Sequence, residues 1–323
     1  MTALLRNPAT LGILCVVAAG VTFSTADMMI KALSDGYPLH QIVFTRACVA
    51  LTVILLIFVP LEGGYRNLLS KRMPLHLLRG LCVFIANMAF FTGIATMSLG
   101  EATAIFFVAP LFITALSVPF LGEKVGLRRW MAVFAGLIGV VIIIRPGTAA
   151  FQYAALAPIV AALAYASMQI IARKLGVTEK ASTMAFYIQA TFLVVCSTIG
   201  LSIGDGRLAE GVEDPSLIFL LRAWTWPVGN DMWIMLAVGS LSACGAYLIS
   251  QGYRLAEATA AAPFEYVALP LAIFWSIVVF GDWPDLQAVL GIVLILGSGL
   301  YAFWRENIRG TDIAAKHPLP RNR

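Results

Sequence analysis

The chain reads as an all-α membrane protein of ten transmembrane helices, arranged as two inverted five-helix repeats. Three observations predict this. Of its 323 residues 60% are hydrophobic and 12% charged, whereas a soluble domain carries about 25% charged residues. Ten apolar stretches approach the roughly 20 residues that cross a bilayer as a helix. The chain also repeats itself. Gly100-Glu101-Ala102-Thr103-Ala104 opens an apolar run that closes at Leu121-Gly122-Glu123, and Ala256-Glu257-Ala258-Thr259-Ala260 opens another that closes at Phe280-Gly281-Asp282.

The spans fall at 10–32, 40–60, 75–97, 101–121, 127–145, 153–173, 182–203, 232–253, 258–280 and 286–304. The first has the outline of a signal peptide, with Arg6 before it and small residues between Cys15 and Gly20. Its apolar run continues to Ile30 and it belongs to the repeat, so it reads as a retained span. At an offset of 142, Phe23 falls on Tyr165, Asp27 on Gln169, Lys31 on Arg173 and Phe44 on Phe186. The repeats therefore occupy 10–145 and 153–304, joined by the loop at 146–152. They do not match residue for residue: Glu101 to Glu123 spans 22 positions and Glu257 to Asp282 spans 25. Five spans is an odd number, so the second repeat enters the membrane from the opposite face. The result is a pseudo-two-fold axis in the membrane plane, an architecture suited to alternating access.

Orientation follows from charge. With the N-terminus inside, 17 of the 22 Lys and Arg residues lie on the inner side, among them Arg79, Lys124, Arg173 and the basic tail 305–323. Four lie outside (Lys31, Arg145, Arg207, Arg222), and Arg46 is inside a span. That bias places both termini in the cytoplasm. The basic clusters are thus topology signals, and no nucleic-acid partner is expected. The one long outer loop, 204–231, is acidic. Its stretch 216–221, with Trp224 and Trp226, reads as a short interfacial helix or as a lid over the outer mouth.

Other classes are poorly served. The five cysteines are scattered through apolar segments with no metal-ligand spacing, so neither a metal site nor a cofactor is expected. No GxxxxGK[ST] loop is present for an ATP-driven pump, and no HExxH or GxSxG for an intramembrane enzyme. No filter-like loop suggests a channel. The chain is read as a non-enzyme whose partners are the lipid bilayer and a small-molecule substrate.

The paired blocks Glu-Ala-Thr-Ala…Gly-Glu and Glu-Ala-Thr-Ala…Gly-Asp resemble the two EamA domains of the drug/metabolite transporter superfamily. So do Ile144-Arg145-Pro146-Gly147 and Ala262-Pro263-Phe264-Glu265-Tyr266. The resemblance covers about 10 to 305. It implies a secondary carrier with a central cavity in the bacterial inner membrane, moving amino acids, nucleotide-like metabolites, vitamins or drugs, some inward and some outward. Within the superfamily the chain is similar to carriers for riboflavin or S-adenosylmethionine uptake. The resemblance also implies that the late, glycine-rich spans are scaffold or a homodimer surface. Import and export both stay open.

Charges inside a membrane cost at least ~2.5–3.5 kcal/mol each, so each needs a partner or a task. Asp27 and Arg46 lie at similar depth in the outer third, by a rise of ~1.5 Å per residue. They read as an ion pair that either fixes spans one and two or contacts a polar or zwitterionic substrate. Glu265 sits between Pro263 and Pro270, where the helix should kink or break. Freed carbonyls beside an acid suit a cation or proton site, so Glu265, with Asp27, is a proton-coupling candidate. The substrate-binding candidates are Asp27, Arg46, Asn87, Tyr165, Gln169, Tyr187, Glu265 and Tyr266. For the uncharged ones, bonding to a neighbouring helix is the competing role.

Overall fold

The computed structural model describes residues 8–70, 72–122, 125–147, 153–175, 180–255 and 262–309. The second Glu-Ala-Thr-Ala block, Glu123, Lys124, Arg6, most of the joining loop and the tail from 310 lie outside the described residues. The described residues are mainly helical, with no strand among them. Seven helical runs are long and apolar enough to cross a membrane, and three shorter apolar helices accompany them at Trp130–Ile144, Phe264–Phe280 and Leu286–Ala302.

In chain order the helices are α1 (Pro8–Leu33), α2 (Leu39–Leu61, with one π-helical turn at Ile54–Phe58), α3 (Met73–Ile94), α4 (Leu99–Phe106), α5 (Ala109–Leu121) and α6 (Leu127–Ile144). Then come α7 (Ala157–Leu175), α8 (Ala181–Ile203), the short α9 (Pro215–Leu221), α10 (Asp231–Leu255), α11 (Ala268–Phe280) and α12 (Leu286–Arg309). The end of the bundle bearing the α1–α2 connection is termed the outer end, following the charge reading.

Local chemistry explains the boundaries. Ser98 caps α4 by accepting from the Glu101 backbone N–H at 3.1 Å, the arrangement expected of Ser followed three residues later by Glu. Pro110 lacks the N–H that would bond the Phe106 carbonyl, so α4 gives way to α5 at Phe107–Val108. In the later copy, Ala262–Val267 is a 3-10 turn before α11, and Pro270 denies a partner to the Tyr266 carbonyl in the same way. The repeated Gly of the two closing motifs also has a reason. Gly122 ends α5 at φ +69° and Gly281 ends α11 at φ +72°, left-handed positions that glycine fills without strain.

The helices of the two halves interleave. α1 packs on α10 and α11, while α3 packs on α7 and α8; α2 lies against α8 and α10. α4 meets α11, and α6 meets α12. The last contact is close: a Cβ on Gly139 would stand 2.8 Å from the Gly291 carbonyl, and one on Gly291 would stand 2.7 Å from the Gly139 carbonyl. Small residues at such crossings let helix backbones approach. The apolar residues of α6 and α12 that point away from this seam, such as Phe134, Ile138 and Val293, are exposed.

Ties between the halves occur at both ends. At the inner end, Tyr187 Oη and Thr183 Oγ1 of α8 donate to the Leu68 and Asn67 carbonyls at 2.7 and 3.0 Å, and the Ser182 N–H donates to Glu62 at 3.0 Å. At the outer end, the segment after α8 is bound to the start of α2. Tyr37 donates to Asp231 at 2.7 Å, and the Gln41 side chain exchanges two hydrogen bonds with the Thr225 backbone. The stretch read as an interfacial helix or lid is α9. It buries Ser216 and Phe219, and its Ser216 hydroxyl donates to the Thr92 carbonyl of α3 at 3.1 Å. Trp224 packs beside Phe44 and His40, whereas Trp226 is exposed.

Candidate functional site

Polar groups inside the bundle gather in two clusters. The outer one is built by α2, α3 and α8. Arg46 is buried, and its Nη2 donates to Asn87 Oδ1 at 2.7 Å. Its guanidinium carbon lies 5.0 Å from the Phe192 ring centre and 5.9 Å from that of Phe91, so two aromatic faces help hold the charge. Asn87 in turn donates to the Val83 carbonyl one turn earlier, at 3.3 Å.

Asp27 does not join this cluster by contact. Among the described residues the ion pairs within 4.0 Å are Lys31–Asp282, Arg145–Asp285 and Arg207–Asp205, so the expected Asp27–Arg46 bridge is absent. Arg46 still acts on Asp27 electrostatically. The correction has a simple cause. α1 and α2 follow one another in sequence but do not pack along each other; α10 contacts both. Asp27 and Arg46 thus interact as charges without a bridge, with Asn87 taking the arginine's hydrogen bond.

The inner cluster is built by α3, α4, α7 and the turn before α11. Tyr165 Oη accepts from Gln169 Nε2 at 2.9 Å, and its ring stands edge-on to Phe106 at 5.4 Å. Two charges of opposite sign act on Tyr165, Glu265 and Arg79. Tyr266 is buried and stacks on Phe107 at 4.9 Å, next to Glu265. The break in the first half and the break in the second therefore meet face to face through these two rings. Of the other candidate, Tyr187, the structure makes a tie: it stacks on His76 at 4.6 Å and bonds the inner loop, apart from both clusters.

Arg79 was assigned to the inner loop by the charge reading. It lies instead two turns into α3, with Nε and Nη1 buried and unbonded. The sequence did carry a signal: Arg79, Val83 and Asn87 recur at spacing four and share one stripe of the helix. Position along an apolar run does not by itself say which neighbour a side chain faces.

At the outer rim, Lys31 closes the last turn of α1 by donating to the Met97 carbonyl at 2.9 Å and to Asp282 at 3.3 Å, above the Phe280 ring. Nearby, Arg145, the one described non-glycine residue with positive φ, bonds Asp285 through both carboxylate oxygens at 2.5 Å. Asp285 also caps α12 by accepting from the Ala288 N–H at 2.8 Å. These bonds, the Arg145 guanidinium foremost, hold the Asp285 carboxyl below its ordinary range. A groove of about 320 Å³ between α6 and α12, lined by Met131, Gly297 and Tyr301 among others, lies away from both clusters.

Residues 10–145 match the EamA-like transporter family. An S-adenosylmethionine uptake transporter of Rickettsia prowazekii is 27% identical over 298 residues, 92% of each chain. A riboflavin transporter of Vibrio cholerae is 28% identical, over 88% of this chain and 90% of its own. A pseudopaline exporter of Pseudomonas aeruginosa is 23% identical, over 88% and 93%. One crystal structure shares the fold at a TM-score of 0.62 and 17% identity, covering 92% of this chain and 98% of that one. Residues 10–145 of this helical bundle, seven of whose runs are long and apolar enough to cross a membrane, thus match the EamA-like transporter family, and the chain is similar to named transporters along nine-tenths of its length.

Proposed function

We propose that the protein is a secondary carrier of ten membrane crossings, made of two inverted repeats at 10–145 and 153–304, that takes a small aromatic metabolite into the cell by alternating access. Both termini lie in the cytoplasm and the membrane is the bacterial inner membrane. The observation that carries this reading is the pair of polar clusters, enclosed between interleaved halves of an otherwise apolar bundle, one toward each end. The interleaving supports the repeat: each contact of α1 or α2 with α10 or α11 has its counterpart in a contact of α7 or α8 with α3, α4 or α5. Rocking of one half against the other would expose the clusters in turn, with Glu265 as the proton-coupling acid and the flanking rings as apolar walls.

The substrate class is a vitamin or cofactor-like aromatic compound such as riboflavin. A second reading, S-adenosylmethionine, is favoured by one observation: Asp27 and Arg46 interact as charges without forming an ion pair, as suits a ligand bearing both charges. Export of amino acids or related compounds is the remaining direction. The test is a mass-spectrometric comparison of cells and medium, with the wild type and with Glu265→Gln expressed. A flavin or adenosyl compound enriched inside only with the wild type supports uptake. Enrichment of such a compound in the medium reverses the direction, and no difference in any compound removes the carrier reading.

A further inference from the structure

Arg46 of α2 and Arg79 of α3 lie at opposite depths of the bundle, and each keeps buried donors without an acceptor among the described residues. Arg46 spends Nη2 on Asn87 but leaves Nε unmet. Arg79 leaves both Nε and Nη1 unmet and enters none of the ion pairs among the described residues. An unsatisfied guanidinium away from water is costly, and such a group inside a membrane protein marks a ligand or ion path by default. The two positions are connected. Asn87 and Arg79 are eight residues apart on one stripe of α3, about 12 Å along the axis. α3 thus carries the acceptor of the Arg46 guanidinium in the outer half of the bundle and a second guanidinium in the inner half.

The surroundings of Arg79 narrow the ligand. Tyr165, which feels the arginine's charge, accepts from Gln169 and so keeps its own hydroxyl proton to donate. A guanidinium with unmet donors and a hydroxyl with a proton to donate suit an anionic group such as a carboxylate. Glu265 acts on Tyr165 as well, and a negative charge so near would repel a dianion such as phosphate while welcoming a cationic group on the same molecule. We propose that Arg79, with Tyr165 beside it, is an inner carboxylate-binding station, to which the substrate's acidic group passes after first engaging Arg46. The substrate is then a zwitterion: a flat ring system bearing a carboxylate and a positive charge. This rests on the carrier reading above and selects within it.

The test uses the full-length protein in proteoliposomes and three probes: S-adenosylmethionine, its decarboxylated form and riboflavin. Uptake is measured for the wild type, Arg79→Gln and Arg79→Lys. The expected result is preference of the wild type for the carboxylate-bearing adenosyl probe. Arg79→Gln should shrink the ratio of the two adenosyl uptakes by about 10- to 100-fold, the effect of losing a hydrogen-bonded charge, and Arg79→Lys should keep most of it. An unchanged ratio in Arg79→Gln, even with both rates reduced, shows a structural arginine and overturns the station. Riboflavin uptake that is indifferent to both variants, with neither adenosyl probe carried, overturns the station and leaves the carrier standing. Uptake of no probe removes the proposed substrate class and the station together. Because Arg79→Gln can fail to fold, the shift in melting temperature caused by S-adenosylmethionine is also compared between wild type and Arg79→Lys. A shift in both supports the station, and a shift in neither overturns it.

Discussion

Replacing Asn87 tests the outer cluster directly, since Asn87 supplies the hydrogen bond that Arg46 makes among the described residues. In Asn87→Leu the guanidinium loses its acceptor at 2.7 Å but keeps the faces of Phe192 and Phe91. A hydrogen bond to a charged group contributes about 1.5–3 kcal/mol, and the remaining ring contacts do not replace it. For a protein of this size that loss corresponds to a fall in melting temperature of about 2–4 °C, readable by tryptophan fluorescence in detergent. Asn87→Asp separates the two roles of the site. It restores an acceptor, so the fold should melt close to the wild type. It also neutralises Arg46, so a substrate carboxylate should bind at least about 10-fold more weakly, seen as a raised KM for uptake. If Asn87→Leu melts like the wild type, Asn87 is not what satisfies Arg46. If Asn87→Asp keeps the wild-type KM, Arg46 does not meet the substrate.

Three further outcomes are expected. Glu265→Gln should insert normally but lose or uncouple transport, and wild-type uptake with unchanged pH dependence would remove the proton role. Gly291→Ala places a Cβ 2.5 Å from Ile143 Cγ1 and 2.7 Å from the Gly139 carbonyl. The α6–α12 seam should therefore open at a cost of about 1–3 kcal/mol; an unchanged melting temperature would show that the seam is loose. Asp285 is held below its ordinary carboxylate range by Arg145, so its contribution to stability is present above about pH 4 and is lost as the pH falls further. The difference in melting temperature between wild type and Asp285→Asn should be full at neutral pH and shrink in acid, and a difference independent of pH would contradict the ion pair.

Much of the helical layout was legible because apolar runs are one-dimensional. The stretch 127–145 is α6 to within a residue, and the glycine closing each repeated block is a left-handed cap. The break near Pro270 was legible too, because a missing N–H acts within a single turn. What the chain does not spell out is azimuth and neighbour. Asp27 and Arg46 were placed at matching depth, yet α1 and α2 turn to different partners. Arg79 was counted with the inner loop because a charge near the end of an apolar run looks the same whether it faces water or a neighbouring helix. Tyr187 was grouped with the cavity for its polarity alone, and the structure gives its hydroxyl to a loop carbonyl.

The stacked rings of Phe107 and Tyr266 carry a consequence for how such a chain can come into being. Each ring stands where a proline has interrupted its helix, and lipid offers nothing to bond the carbonyls left over. Each interruption is sheltered by the other half of the molecule. Either half made alone would expose its wound to the bilayer, so neither is self-sufficient as a fold. On the inverted-repeat reading proposed above, a shorter ancestral gene encoding one half would have needed two copies of its product to insert in opposite senses and meet at this same contact.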